Sequence, residues 1–216
     1  MRDYEKQVFV IGTSLFYTVC VSKYSVEMSN ALLGDENDMK IVVLEGSPNK
    51  NGSSNLLASE FIRGAKEAGH SIQVIDAAHG DIHSCTGCIY CGYEGPCVQK
   101  DDASRIHQAI LEADMLVFVT PLYYYGMSAQ LKTLIDRFCA FNSSIQRKRM
   151  KSALLSAAWN DDAWTFEALE VHYKTLVRYL NLTDQGMVLG TGCGTVDMTR
   201  RSKFPKLAYE LGRKLS

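Results

Sequence analysis

The chain has 216 residues, of which 46% are hydrophobic and 22% charged, and its formal net charge is -1 at pH 7. This length supports one substantial core, and the near-neutral charge excludes the basic surface expected for nucleic acid or an anionic membrane. The cysteine count is odd, with four crowded between Cys85 and Cys97, which does not resemble a spread disulfide framework. Reduced thiols or metal ligands in a cytoplasmic protein are therefore expected.

The N-terminal segment differs from the rest of the chain. Residues 8–21 form an uncharged, largely apolar stretch, but a membrane span needs about 20 apolar residues. Asp3 and Glu5 occupy the region where a signal peptide would be basic. We predict that residues 1–38 are an appendage or the result of a misassigned start, and that one domain covers residues 39–216.

Strand and helix signals alternate along this domain. Short apolar runs bounded by turn residues predict buried strands at residues 41–44, 72–75, 115–119, 153–158 and 187–190. Apolar residues at helical spacing predict one helix capped by Ser53 or Ser54 and stopped by Gly69, and further helices at residues 104–113, 131–138, 165–180 and 199–215. This alternation favours an α/β fold with a parallel sheet between two helical layers, in the doubly wound order 2-1-3-4-5.

Ligands of such sheets bind at the carboxyl ends of the strands, at the switch point between the first and third strands. The loop after Leu44 matches neither the phosphate-binding P-loop nor the dinucleotide motif G-x-G-x-x-G. It is rich in serine and asparagine and leads into a helix N-terminus, which favours an anion such as a flavin phosphate. The alternative is a simple turn with a helix cap. The predicted contacts are Ser47, Asn49, Lys50, Asn51, Ser53, Ser54 and Asn55.

Two further loops fall at the same edge of the predicted sheet. The loop after Val119 is aromatic and offers apolar contact and stacking to a flat ring. It consists of Pro121, Leu122, Tyr123, Tyr124, Tyr125 and Gly126. Its alternative role is a patch that faces solvent or a second subunit. Trp159 and Asn160, in the loop after the fourth strand, are predicted to border the ring or the ribityl chain.

The cysteine-rich loop 85–97 has the spacing C-x2-C-x2-C-x5-C. Such close intervals suit a compact [4Fe-4S] cluster bound by Cys85, Cys88, Cys91 and Cys97. Reduced thiols that only pack the loop are an alternative, and zinc is less natural because zinc sites usually pair two C-x2-C knuckles over a longer spacer. Cys139 and Cys193 are expected to be small apolar fillers. Asp101 and Asp102 are expected to complement a helix dipole.

Several segments together resemble the NADPH-dependent FMN reductase and iron-sulfur flavoprotein group over about residues 39–190. They are Gly46–Ser54, Lys100–Asp102, Ala113–Asp114, Pro121–Tyr123, Ser128–Lys132 and Asp136–Arg137. The resemblance implies a flavodoxin-like fold, FMN bound by the first loop and the Pro121 loop, and a homodimer with flavin near the interface. Asn49 stands where many relatives carry a basic residue. The phosphate contact at this position is therefore expected to be weaker, or to be made by Lys50 instead.

The expected function is an FMN-dependent oxidoreductase. Hydride would pass from NAD(P)H to the flavin, and electrons would leave to a small molecule or a redox protein. Because the flavin performs the chemistry, no catalytic acid or base is assigned. The alternatives are an iron-sulfur flavoprotein that carries electrons without turning over NAD(P)H, and a metal-binding regulatory module without flavin.

Overall fold

The structure is a computed structural model that describes residues 38–215. The prediction about residues 1–38 therefore falls, apart from Asp38, outside the described residues. The strands are β1 (Lys40–Glu45), β2 (Ser71–Asp76), β3 (Met115–Pro121), β4 (Lys151–Ala157) and β5 (Thr183–Gly190). They form one parallel sheet in the order β2-β1-β3-β4-β5. The predicted fold class and strand order are confirmed.

The helices connect these strands. They are α1 (Ser53–Glu67), α2 (Ala103–Glu112), α3 (Ala129–Asp136), the 3-10 helix η1 (Arg137–Phe141), α4 (Asn142–Lys148), α5 (Glu167–Tyr179), α6 (Val196–Arg201) and α7 (Phe204–Arg213). Within residues 38–215, no helix has the length and apolar character needed to cross a membrane.

The single closing helix predicted for residues 199–215 is wrong. The backbone is extended at Ser202, between α6 and α7. Pro205 lies in the first turn of α7, where its missing N–H is tolerated, whereas inside a continuous helix it would remove a hydrogen bond. The Ser202 hydroxyl accepts from the N–H of Phe204 and so starts the new helix.

Alternate residues of β1 enter two separate apolar cores. Val42 and Leu44 pack with residues of α2 such as Ile110, on one face of the sheet. Ile41 and Val43 pack with residues of α1 on the other face. Since side chains alternate along a strand, helices on both faces require a continuous apolar run. This is why residues 41–44 of β1 form an unbroken apolar run.

The strand register brings three loops to one edge of the sheet. Glu45, the last residue of β1, is paired with Val119 of β3. Pro121, the last residue of β3, is paired with Ala157 of β4. The loops after β1, β3 and β4 are therefore neighbours at the carboxyl edge, at the switch point of the sheet.

Helices α1 and α7 approach each other closely at two glycines. A Cβ on Gly212 would lie 2.2 Å from the carbonyl oxygen of Phe61, and one on Gly64 would lie 2.2 Å from that of Tyr209. Because the obstacles are backbone atoms, Gly212→Ala should push the helices apart and lower the free energy of unfolding by about 1–3 kcal/mol, measured by urea denaturation.

The matched control is Lys206→Ala, on the exposed side of α7, which should change the free energy of unfolding by less than about 0.5 kcal/mol. Equal unfolding midpoints for Gly212→Ala and the wild type would contradict the close helix contact.

Candidate functional site

The loop after β1 is shaped by its own polar groups. The buried Ser47 hydroxyl donates to the Asn49 carbonyl (3.0 Å) and accepts from the Asn49 N–H (3.2 Å). The side-chain oxygen of Asn49 accepts from the Asn51 N–H at 3.1 Å, and the N–H of Gly52 donates to the Asn49 carbonyl at 2.9 Å. Ser47 and Asn49 therefore hold the loop in a compact turn.

Helix α1 starts at this turn without a side-chain cap. Its N-cap is Gly52, which has no side chain, so the prediction that Ser53 or Ser54 caps the helix is wrong. Both serines lie in the first helical turn, which contains no acidic residue. The N–H groups of an uncapped first turn attract an anion, and the two hydroxyls lie beside them.

The other side of the loop is flanked by carboxylates. Asn55 donates to the Glu45 carboxylate and to the Lys50 carbonyl, both at 3.3 Å. Lys50 is exposed, and its Nζ lies 3.7 Å from the Asp76 carboxylate. Burial, and after it the charge of Asp76, raises the pKa of Glu45. Asn55 thus ties the loop to the end of β1, while the charge of Lys50 is partly offset by Asp76.

Ser128 joins the loops after β1 and β3, a role that the sequence reasoning did not assign. This fully buried residue donates through its hydroxyl to the Gly46 carbonyl at 2.6 Å, and its N–H donates to Thr120 at 2.9 Å. It is also the N-cap of α3 and accepts from the Leu131 N–H. The sequence signal for this N-cap was a serine directly before an apolar helical pattern.

The tyrosine turn is strained and exposed. Tyr123 and Gly126 exchange two backbone hydrogen bonds of 3.1 Å. Tyr124 and Tyr125 between them have φ values of 46° and 64°, a region that turns usually fill with glycine or asparagine. Tyr124 is 102% exposed. Such strain is typical of ligand-contacting segments.

We predict that Tyr124→Gly raises the free energy of unfolding of the flavin-free protein by roughly 0.5–1 kcal/mol, because glycine relieves the left-handed strain at some cost in chain entropy. The same change should weaken FMN binding, because it removes an aromatic contact. Arg149→Gly is the matched control: Arg149 has a φ of 53° at the end of α4. Arg149→Gly should stabilise the protein by a similar amount without changing the FMN affinity. If Tyr124→Gly also leaves the FMN affinity unchanged, Tyr124 does not contact the flavin ring.

The loop after β4 contacts the tyrosine turn. The ring centres of Tyr125 and Trp164 lie 5.0 Å apart. Trp159 is 71% exposed, and its indole lies against Gly194. The Asn160 carbonyl accepts from the Gly192 N–H at 3.1 Å. The structure thus places Trp164 of this loop against the tyrosine turn.

The cysteine loop and η1 enclose a cavity of about 290 Å³. Its lining includes Cys85, Cys88, Cys91, Cys97 and Cys139. The prediction that Cys139 is an isolated filler is wrong, because η1 brings it to the cavity that the four motif cysteines line. Burial is the main cause that raises the pKa of Cys139 to about 11. The Tyr90 N–H and the Thr86 hydroxyl instead lower the pKa of Cys88.

A buried ion pair closes the base of this loop. Arg137 and Asp101 form two hydrogen bonds, and their side chains are 1% and 0% exposed. Burial opposes the ionised form of Asp101, but hydrogen bonds from Arg137, His83 and Ala103 outweigh it and lower its pKa. Asp101 accepts from the N–H of Ala103, the first residue of α2, as expected of an acidic residue at a helix N-terminus, and its pairing with Arg137 was not predicted. Burial and the nearby Arg137 charge also lower the pKa of His107 to about 4.

Within residues 38–215, no three histidine, cysteine or acidic side chains gather closely enough to hold a single metal ion. The five thiols instead surround a cavity much wider than one ion. Cysteine thiolates are the usual ligands of iron-sulfur clusters, so the chemistry of this lining fits such a group.

Residues 39–184 match the family model of NADPH-dependent FMN reductases. This is more than half of the chain, which therefore belongs to the NADPH-dependent FMN reductase family. It is 32% identical over 103 residues to an iron-sulfur flavoprotein of Archaeoglobus fulgidus, covering 48% of this chain and 47% of that protein. It is 37% identical over 99 residues to one of Methanocaldococcus jannaschii, covering 46% of this chain and 51% of that protein. The chain thus spans about half the length of these curated relatives.

The similarity to solved structures concerns the fold. The NAD(P)H:quinone oxidoreductase from Methanothermobacter marburgensis superposes with a TM-score of 0.67 at 21% sequence identity. The superposition covers 83% of this chain and 96% of that structure. It agrees with the strand order and the helical layers described above.

Proposed function

We propose that the protein is an FMN-dependent NAD(P)H oxidoreductase that passes electrons to a small molecule or a redox protein. The observation that carries this proposal is the uncapped N-terminus of α1 beside the strained tyrosine turn, within a chain of the FMN reductase family. Bound FMN supplies the redox chemistry by accepting a hydride from the nicotinamide. The residues of the chain bind and orient the reactants, and none is assigned as an acid or base.

The binding roles are divided among the three loops. Ser53, Ser54 and the first-turn N–H groups of α1 would hold the phosphate. Ser47 and Asn49 shape that turn, as their hydrogen bonds indicate. The remaining contacts are proposed as follows: Lys50, Asn51 and Asn55 around the phosphate, Pro121, Leu122, Tyr123, Tyr124, Tyr125 and Gly126 against the ring, and Trp159 and Asn160 at its border.

We also propose that Cys85, Cys88, Cys91 and Cys97 bind a [4Fe-4S] cluster. The shared cavity supports this assignment, as do the relatives named iron-sulfur flavoproteins. Helix α3 begins at the flavin loop and leads directly to η1, which carries Arg137 and Cys139. Its eight residues span about 12 Å, and the two proposed sites lie at its opposite ends. The competing assignment is a set of reduced thiols.

Anaerobic steady-state assays separate the enzyme from the electron carrier. The FMN-reconstituted protein should oxidise NADH or NADPH with a quinone as acceptor, and the flavin-free protein should not. A protein whose flavin and cluster are reduced by dithionite, but by neither nucleotide, would be an electron carrier. The homodimer implied by the family resemblance stays a prediction, which light scattering tests.

A further inference from the structure

Arg137 is a charged side chain buried in the wall of the cysteine cavity. Its Nη1 donates to the His83 carbonyl at 2.8 Å, and both terminal nitrogens bind the Asp101 carboxylate. Its Nε is buried and has no hydrogen-bond partner. Arg137 and Cys97 both line this cavity.

Arg137 is not needed merely to hold the cysteine loop in place, because other contacts do this. The Asp101 carboxylate already accepts from the N–H groups of His83 and Ala103, which flank the cysteine loop on either side. An exposed arginine, Arg147, pairs with Glu94 of the same loop from outside. What Arg137 adds is a permanent positive charge, withdrawn from water, in the wall of the cavity that the proposed cluster ligands line.

Such a charge affects the reduction potential of a cluster. A cluster with four thiolate ligands is anionic, and reduction by one electron increases its negative charge. A nearby cation stabilises the reduced form more than the oxidised form, and burial limits the screening of that interaction by solvent and salt.

We propose that Arg137 raises the reduction potential of the iron-sulfur cluster through its buried charge in the wall of the cysteine cavity, and that Asp101 limits this effect by partly neutralising the charge. Arg137 is a positioning and tuning residue and is not itself a cluster ligand. The proposal rests on the cluster assignment made under the proposed function.

The test is a redox titration of the anaerobically reconstituted holoprotein, followed by the electron paramagnetic resonance of the reduced cluster. Arg137→Gln should lower the midpoint potential by at least about 59 mV, a tenfold change in the ratio of reduced to oxidised cluster for one electron. Asp101→Asn should shift the potential in the opposite direction, because the arginine charge is then not neutralised. The control Arg147→Gln should leave the potential unchanged.

Midpoint potentials that shift in opposite directions indicate electrostatic tuning. Loosening of the cysteine loop would instead shift the potential of both variants in the same direction. If a single variant does not fold, the double variant Arg137→Gln/Asp101→Asn removes both buried charges together and should still have a potential below that of the wild type. If Arg137→Gln or the double variant binds four irons and has the wild-type potential, the tuning role of Arg137 is wrong, but the cluster assignment stands. A wild-type protein without iron would overturn the cluster and this proposal together.

Discussion

Replacing Ser53 with aspartate should raise the dissociation constant of FMN at least about 100-fold, or about 2.7 kcal/mol, while riboflavin binding changes little. Ser53 lies in the uncapped first turn of α1. At 4 Å, two unit charges interact by about 4 kcal/mol at an effective dielectric constant of 20, so a carboxylate in this turn would strongly repel a phosphate. In the absence of FMN, the same carboxylate stabilises the helix N-terminus.

Fluorescence titration with FMN and with riboflavin measures this effect. Ser59→Asp, on the exposed side of the same helix, is the matched control and should leave both affinities close to wild type. Equal loss of FMN and riboflavin in Ser53→Asp would indicate damage to the ring site. Unchanged FMN affinity would show that the phosphate does not bind at the N-terminus of α1.

Replacing Cys88 with alanine should remove the cluster and leave FMN bound. Cys88 is the second cysteine of the motif, and its lowered pKa favours the thiolate form that binds iron. The wild type should contain about four iron and four sulfide per chain after anaerobic reconstitution, whereas Cys88→Ala should not retain an intact cluster. Iron and sulfide analysis, together with flavin absorbance, measures both cofactors in one sample.

Cys139→Ala is the control that the structure makes available. Cys139 lies in the same cavity, but it stands outside the sequence motif. It should therefore retain about four irons. If Cys139→Ala loses the cluster and Cys88→Ala keeps it, the ligand assignment is wrong. If the wild type binds flavin but no iron, the four cysteines are reduced thiols that hold no cluster.

The sheet could be predicted because its signals are local. Each central strand is an apolar run buried on both faces, and the alternation with helices leaves few topologies. The three loops at the carboxyl edge follow from that topology. Edge strands are less clearly marked in the sequence. The strand β5 begins at Thr183, whereas Met187 was predicted, because its first residues are polar and exposed and show no apolar pattern.

The contacts that hold the site together could not be read from sequence. Ser128 binds the carbonyl of Gly46 across 82 positions, and Arg137 binds Asp101 across 36. Such pairs form only when the fold brings distant segments together. Cys139 joined the cysteine cavity for the same reason, since its position depends on how η1 packs against the loop.

Anaerobic titration of the FMN-loaded protein with NADPH and with NADH tests the central claim most directly. The visible absorbance band of the bound flavin is followed as each nucleotide is added. The proposed function predicts that at least one nucleotide bleaches this band at about one equivalent per flavin, because a hydride carries the two electrons that FMN accepts. Bound flavin that dithionite reduces, but that neither nucleotide bleaches, would contradict it.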